Sequence, residues 1–116
     1  MTVSTTSSAL PIKLGIIVLG LVTAIVHLYL GFQGLPLFVL NGIGYLALLA
    51  LLYLPIPRLA SYRDQIRWVL IGYTALTMIL WLVITGGQST VTGYTDKVVE
   101  LLLIILLLAE ARQSSR

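Results

Sequence analysis

The chain has 116 residues, 59% of them hydrophobic and only 9% charged, with a mean hydropathy of +1.04. A soluble domain carries about 25% charged residues, and a short chain leaves too much surface exposed to hide this much apolar area, so lipid is the expected solvent. The absence of cysteine excludes disulfides, thiolate metal sites and cysteine catalysis, and the net charge of +3 does not point to nucleic acid, because the basic residues are spread over loops and ends.

Residues 1–12 are small and polar, rich in Ser and Thr, and read as a flexible tail. No basic residue precedes Lys13 and the apolar run behind it is long, so that run is expected to be a retained helix rather than a cleaved signal. From Leu14 to Pro57 no side chain is formally charged. One helix of that length would far exceed the roughly 20 residues that span a bilayer, so the run must fold back. Gly31, Gly34 and Pro36 mark the break: glycine supplies permissive φ, and proline fixes φ and removes a donor. A first helix is expected over 13–31 and a second over 36–54, ended by Pro55 and Pro57. Residues 58–67 are strongly charged and form a central loop. A third helix follows over 68–85, then an uncharged polar loop from Gly86 to Gly93. Thr95 or Asp96 is expected to cap a fourth helix over 96–111, since oxygen side chains and negative charge suit a helix N-terminus, and 112–116 close the chain as a tail.

The fold class expected is therefore all-α: a four-helix transmembrane bundle of two hairpins over residues 13–111. Lys13, Arg58, Arg63, Arg67, Arg112 and Arg116 fall on one side of it and Lys97 on the other, which places both termini in the cytoplasm by the positive-inside rule. Tyr53, Tyr62 and Trp68 then lie at the inner interface and Tyr29 and Tyr94 at the outer one. Aligning Ile12-Lys13 with Ile66-Arg67 pairs Ile17 with Ile71, Thr23 with Thr77 and His27 with Trp81, a faint parallel repeat of the two hairpins.

Depth singles out four polar residues. At about 1.5 Å per residue, His27, Asn41, Trp81 and Glu100 each lie about one turn from the outer end of their own helix. An ionisable residue in a membrane is a functional hypothesis by default. His27 and Glu100 could pair, with Asn41 and Trp81 adding hydrogen bonds, to relay protons, bind a quinone headgroup or hold a cation. The same pair could simply tie the first helix to the fourth, as interhelical polar contacts do for about 0.6 kcal/mol each. Asp96 and Lys97 read as charges at the N-terminus of the fourth helix; Lys97 is three residues before Glu100 and can pair with it locally, or snorkel outward. Gly20 and Ala24, and Gly42, Gly44, Ala47 and Ala50, mark close helix approach, within one chain or between chains. No His/Asp/Glu set has metal-ligand spacing along the sequence, and no glycine loop has phosphate-cradling form.

In length and span number the chain resembles the small multidrug-resistance transporters, which depend on a membrane-embedded glutamate in their first helix. Here that helix carries His27 and no carboxylate. It is also similar to a set of small four-span proteins of haloarchaea and some bacteria with no assigned function. That resemblance rests on His27-Leu28-Tyr29-Leu30-Gly31, Asn41-Gly42-Ile43-Gly44, Gly72-Tyr73-Thr74 with Trp81, and Asp96-Lys97, and covers about residues 14–110. It implies a four-span fold and supplies no mechanism.

The expectation from sequence is a non-enzymatic protein of a prokaryotic inner membrane with no cofactor and no metal. It would self-associate or serve as an accessory subunit of a larger membrane complex. The alternatives are a small proton-coupled transporter using His27 and Glu100, or a quinone or haem binder.

Overall fold

The computed structural model describes residues 2–34, 36–87 and 90–114. Among them the chain is all helical, with four long helices and one short turn of helix: α1 (Thr2–Phe32), α2 (Pro36–Tyr53), α3 (Pro57–Ala60), α4 (Arg63–Thr85) and α5 (Val91–Ser114).

Local chemistry sets the ends. α1 stops where Gly34 takes a left-handed φ of 113°, its N–H donating to the Gly31 carbonyl at 3.2 Å. Pro36 then opens α2 at a position where a missing N–H costs nothing. Pro55 and Pro57 prevent α2 from continuing, and Pro57 starts the single turn of α3. α4 ends on Gly86, left-handed at φ 66°, whose N–H reaches the Leu82 carbonyl.

Three helix starts differ from the sequence reading. α4 begins at Arg63, so the charged segment expected as loop supplies the first turn of a helix and draws Arg67 inside it. α5 begins at Val91, with Thr90 Oγ1 accepting the Gly93 N–H at 3.2 Å. Thr90 is the cap, and Asp96 lies more than a turn into the helix instead of at its end. The segment 1–12, expected as a tail, is helical from Thr2 onward, with Pro11 inside the helix.

Three helical segments, Leu10–Phe32, Pro36–Tyr53 and Arg63–Thr85, are long and apolar enough to cross a membrane. The surface supports that solvent. Leu40, Val83 and Ile84 are 67, 73 and 66% exposed, while Thr23, Thr74 and Glu100 are fully buried. A water-soluble fold distributes these residue types the other way round. α5 is as long, at 24 residues, but carries Asp96, Lys97, Glu100, Glu110 and Arg112.

α1 packs along both α2 and α5, and α4 closes the ring against α5 and, over a shorter stretch, α2. The apolar core is one cluster: Ile16, Ala24, Tyr45, Leu49, Leu52, Leu70, Leu103 and Leu107. Glycines set the close approaches within the chain. A Cβ on Gly42 would meet the Ala24 carbonyl oxygen at 2.9 Å, and one on Gly20 would meet Leu49, so the small residues of α1 and α2 serve the α1–α2 contact. Gly44 instead makes room for the Tyr73 ring of α4. Ala47 and Ala50 are exposed.

Candidate functional site

The two interhelical turns, α1–α2 and α4–α5, lie at one end of the bundle, the hairpin end. Between about one and a half and two and a half turns in from it, residues of all four long helices meet in a buried polar cluster. α5 carries the charges. Asp96, Lys97 and Glu100 recur at helical spacing, so all three point into the bundle; their side chains are 3, 12 and 0% exposed.

Each carboxylate is held from one side by hydroxyls. Thr23 Oγ1 of α1 donates to Asp96 Oδ1 at 2.6 Å. Tyr45 of α2 donates to Glu100 Oε2 at 2.5 Å. Thr77 Oγ1 of α4 lies 2.8 Å from that same oxygen and 2.8 Å from the Thr74 carbonyl, its single proton serving either. Thr23 and Thr77, paired by the faint repeat, thus flank α5 from opposite sides and address carboxylates one turn apart. Lys97 Nζ sits 2.5 Å from Glu100 Oε1 and 3.5 Å from Asp96 Oδ2. His27 donates from Nδ1 to the Thr23 carbonyl, 2.8 Å away, one helical turn back. That bond turns Nε2 toward Asp96 Oδ2, at 3.7 Å, too far for a hydrogen bond. One ligating atom from each of His27, Asp96 and Glu100 lies within 4.8 Å of the other two.

His27, Asp96 and Lys97 line a cavity of about 450 Å³, with Glu100 behind them. The first turns of α2 and the last half of α4 stand apart here, and their side chains form its walls: Leu37, Phe38, Leu76, Leu80, Trp81 and Ile84 among them. The ring of Trp81 carries the Lys97 ammonium 5.6 Å from its centroid. The chain matches no protein-family model, no curated protein and no solved structure.

His27, Asn41, Trp81 and Glu100 therefore occupy one region, but not with the contacts expected of them. The near partner of His27 is Asp96; Glu100 is held by Tyr45, Thr77 and Lys97. Asn41 contributes its backbone carbonyl, which accepts from the Tyr73 hydroxyl at 2.7 Å. Trp81 supplies no hydrogen bond, its Nε1 being buried without a partner, and it works as a cavity wall. Thr23, Tyr45 and Thr77 were missed. Thr23 and Thr77 had a signal in the repeat alignment; Tyr45, one aromatic in an apolar helix, gave none. Asp96 and Lys97, expected to act as terminal charges, belong to the cluster because α5 starts five residues earlier than Asp96 suggested.

A second buried polar group sits at the opposite end of the bundle. Arg67, 2% exposed, donates from Nε to Glu110 Oε1 at 2.9 Å and from Nη1 to Asp64 at 2.6 Å. Tyr53 donates to the other oxygen of Glu110 at 2.8 Å. α2, α4 and α5 are thereby fastened together beside the central loop.

Proposed function

We propose that the chain is a four-span membrane protein with both termini in the cytoplasm, and that its buried cluster is a cation site exchanging with protons, as in a small carrier. One observation carries this: His27, Asp96 and Lys97 line an apolar-walled cavity between α2 and α4, and Glu100 lies behind them, paired with Lys97. Buried ion pairs are weak stabilisers, and well-packed apolar residues of similar volume usually serve a bundle at least as well. Four ionisable groups placed beside a cavity are better explained by what they hold than by what they tie. With a neutral imidazole the cluster carries one net negative charge, from two carboxylates and one ammonium, so it attracts one further positive charge, an incoming cation.

α5 forms the fourth span in this reading. Its charges at Asp96, Glu100 and Glu110 are turned inward and paired, so the face it offers to lipid is Val98, Leu101, Leu102, Ile105 and Leu108. The hairpin end is extracellular, and the central loop with its arginines is cytoplasmic. Because the chain has no cysteine, single introduced cysteines report topology cleanly. Thr92→Cys is expected to react with a membrane-impermeant maleimide on intact cells, and Ser61→Cys only after permeabilisation. The reverse pattern overturns the orientation.

Exchange is tested in proteoliposomes loaded at acidic pH with a trapped pH dye. External Na⁺, Mn²⁺ or tetraphenylphosphonium is added in turn. At least one is expected to drive proton exit with the wild-type chain and not with His27→Gln or Glu100→Gln. If none does, or the variants match the wild type, the carrier reading falls.

A structural or accessory role is the second reading. It draws on Glu100, both of whose oxygens are engaged, as a helix tie would have them. A stoichiometric partner in native pull-downs, with no cation-driven proton exit, would favour it.

A further inference from the structure

Each of the three potential ligands is oriented from behind and leaves one atom turned forward. His27 spends Nδ1–H on the Thr23 carbonyl and presents Nε2. Asp96 spends Oδ1 on Thr23 Oγ1 and presents Oδ2. Glu100 spends Oε2 on Tyr45 and Thr77 and presents Oε1. An imidazole whose other nitrogen donates to a backbone carbonyl, beside carboxylates that are themselves hydrogen-bonded, is the arrangement metal ligands take. His27 is 3% exposed, lines the cavity, and its Nε2 has no hydrogen bond.

We propose that His27 Nε2, Asp96 Oδ2 and Glu100 Oε1 form a binding site for a divalent transition-metal cation, with the Lys97 ammonium as a tethered competitor for it. The class follows from the donors. One imidazole with two carboxylates suits zinc, manganese or ferrous iron, whereas magnesium and calcium take oxygen ligands alone. Spacing is close to what one ion needs. Ligands at about 2.1 Å from a tetrahedral ion stand about 3.4 Å apart. The 3.7 Å between His27 Nε2 and Asp96 Oδ2 is within a few tenths of an ångström of this, and with one ligating atom from each residue inside 4.8 Å of the others, side-chain rotation closes the rest. The cavity in front leaves room for water or a further ligand to complete the coordination.

Lys97 explains how such a site can be left and refilled. Its Nζ occupies the point where the presented oxygens of Asp96 and Glu100 converge. It is a flexible stem near the hairpin end, long enough to carry its charge toward the headgroups. Two carboxylates and one divalent ion sum to zero. With the ion gone, Lys97 returns one positive charge to the two carboxylates, so the ammonium limits the charge left uncompensated in the emptied site.

This inference rests on the cluster being a cation site, but not on transport. The test uses the full chain in detergent, by equilibrium dialysis against Zn²⁺ and Mn²⁺ with metal analysis. One ion per chain is expected, not displaced by excess Mg²⁺ or Ca²⁺. His27→Gln and Asp96→Asn should each weaken binding by at least 100-fold. Thr23→Val, which removes only the bond that aims Asp96, should weaken it by roughly 10–100-fold. Lys97→Met should tighten it, a gain that misfolding cannot imitate. Absence of stoichiometric binding in both the wild type and Lys97→Met overturns the metal site, as does binding that survives His27→Gln. Unchanged affinity in Lys97→Met overturns the competitor role. If metal binds but no cation drives proton exit from vesicles, the carrier reading fails alone; if Na⁺ or tetraphenylphosphonium drives exit and no metal binds, the metal site fails alone.

Discussion

Glu100→Ala is expected to destabilise the folded protein by about 3 kcal/mol, while the double variant Lys97→Met/Glu100→Met is expected to be at least as stable as the wild type. Removing one member of a buried pair strands the other, which costs roughly 3–5 kcal/mol. Here the lower end applies, because Lys97 keeps Asp96 at 3.5 Å. Removing both members leaves Asp96 with the Thr23 hydroxyl at 2.6 Å and the His27 ring at 3.7 Å, and leaves no ammonium unpaired. Tyr45 can turn to Thr77 at 2.9 Å, and Thr77 already reaches the Thr74 carbonyl at 2.8 Å, so the hydroxyls left by Glu100 satisfy one another. The measurement is unfolding in mixed micelles of rising denaturing-detergent fraction. If the double variant is as unstable as the single one, the cluster is a structural bolt and the functional reading loses its main argument. A stable double variant that has lost metal binding and proton exit separates function from packing.

Gly31→Ala is expected to cost about 3 kcal/mol, at the top of the range for overpacking, and Gly72→Ala to be neutral within about 1 kcal/mol. The two substitutions add the same methyl group to a helix. On Gly31 the new Cβ would lie 2.6 Å from the Val39 backbone nitrogen, as well as against Val39 Cγ2. A side chain can rotate away, but the backbone of α2 can move only by opening the α1–α2 hairpin. Around Gly72 nothing lies within 4 Å. Detergent unfolding curves of the two variants should separate clearly. Coincident curves would mean that the hairpin is looser than this packing requires. Because His27 is on the α1 turn that precedes Gly31, an opened hairpin should also weaken metal binding, which Gly72→Ala should not.

How much of the site could be read from the sequence depends on the length scale of each signal. His27 and Glu100 stood out because an ionisable group in an apolar helix is conspicuous by itself. Asp96 did not, because a carboxylate close to an expected helix start has an ordinary explanation. Moving the cap from Asp96 to Thr90, by about 1.7 turns, converted that terminal charge into a buried one. Tyr45 and the two threonines are common residues whose importance arises only from their neighbours on other helices. The Arg67–Glu110 contact joins residues 43 apart in sequence, and no local pattern announces it.

The sequence alone determined the solvent and the segmentation. Apolar runs too long for one span, broken at Gly34, Pro55, Pro57 and Gly86, must become helices that fold back, because an isolated backbone in lipid can satisfy its hydrogen bonds only within a helix. Tertiary structure decided the pairing. Which face of each helix turns inward is set by where small residues let backbones approach and where buried charges find partners, and both conditions are properties of two helices at once. Hence His27 meets Asp96 rather than Glu100, Lys97 lies between the carboxylates rather than in the headgroups, and three groups scattered over residues 27–100 converge on one point.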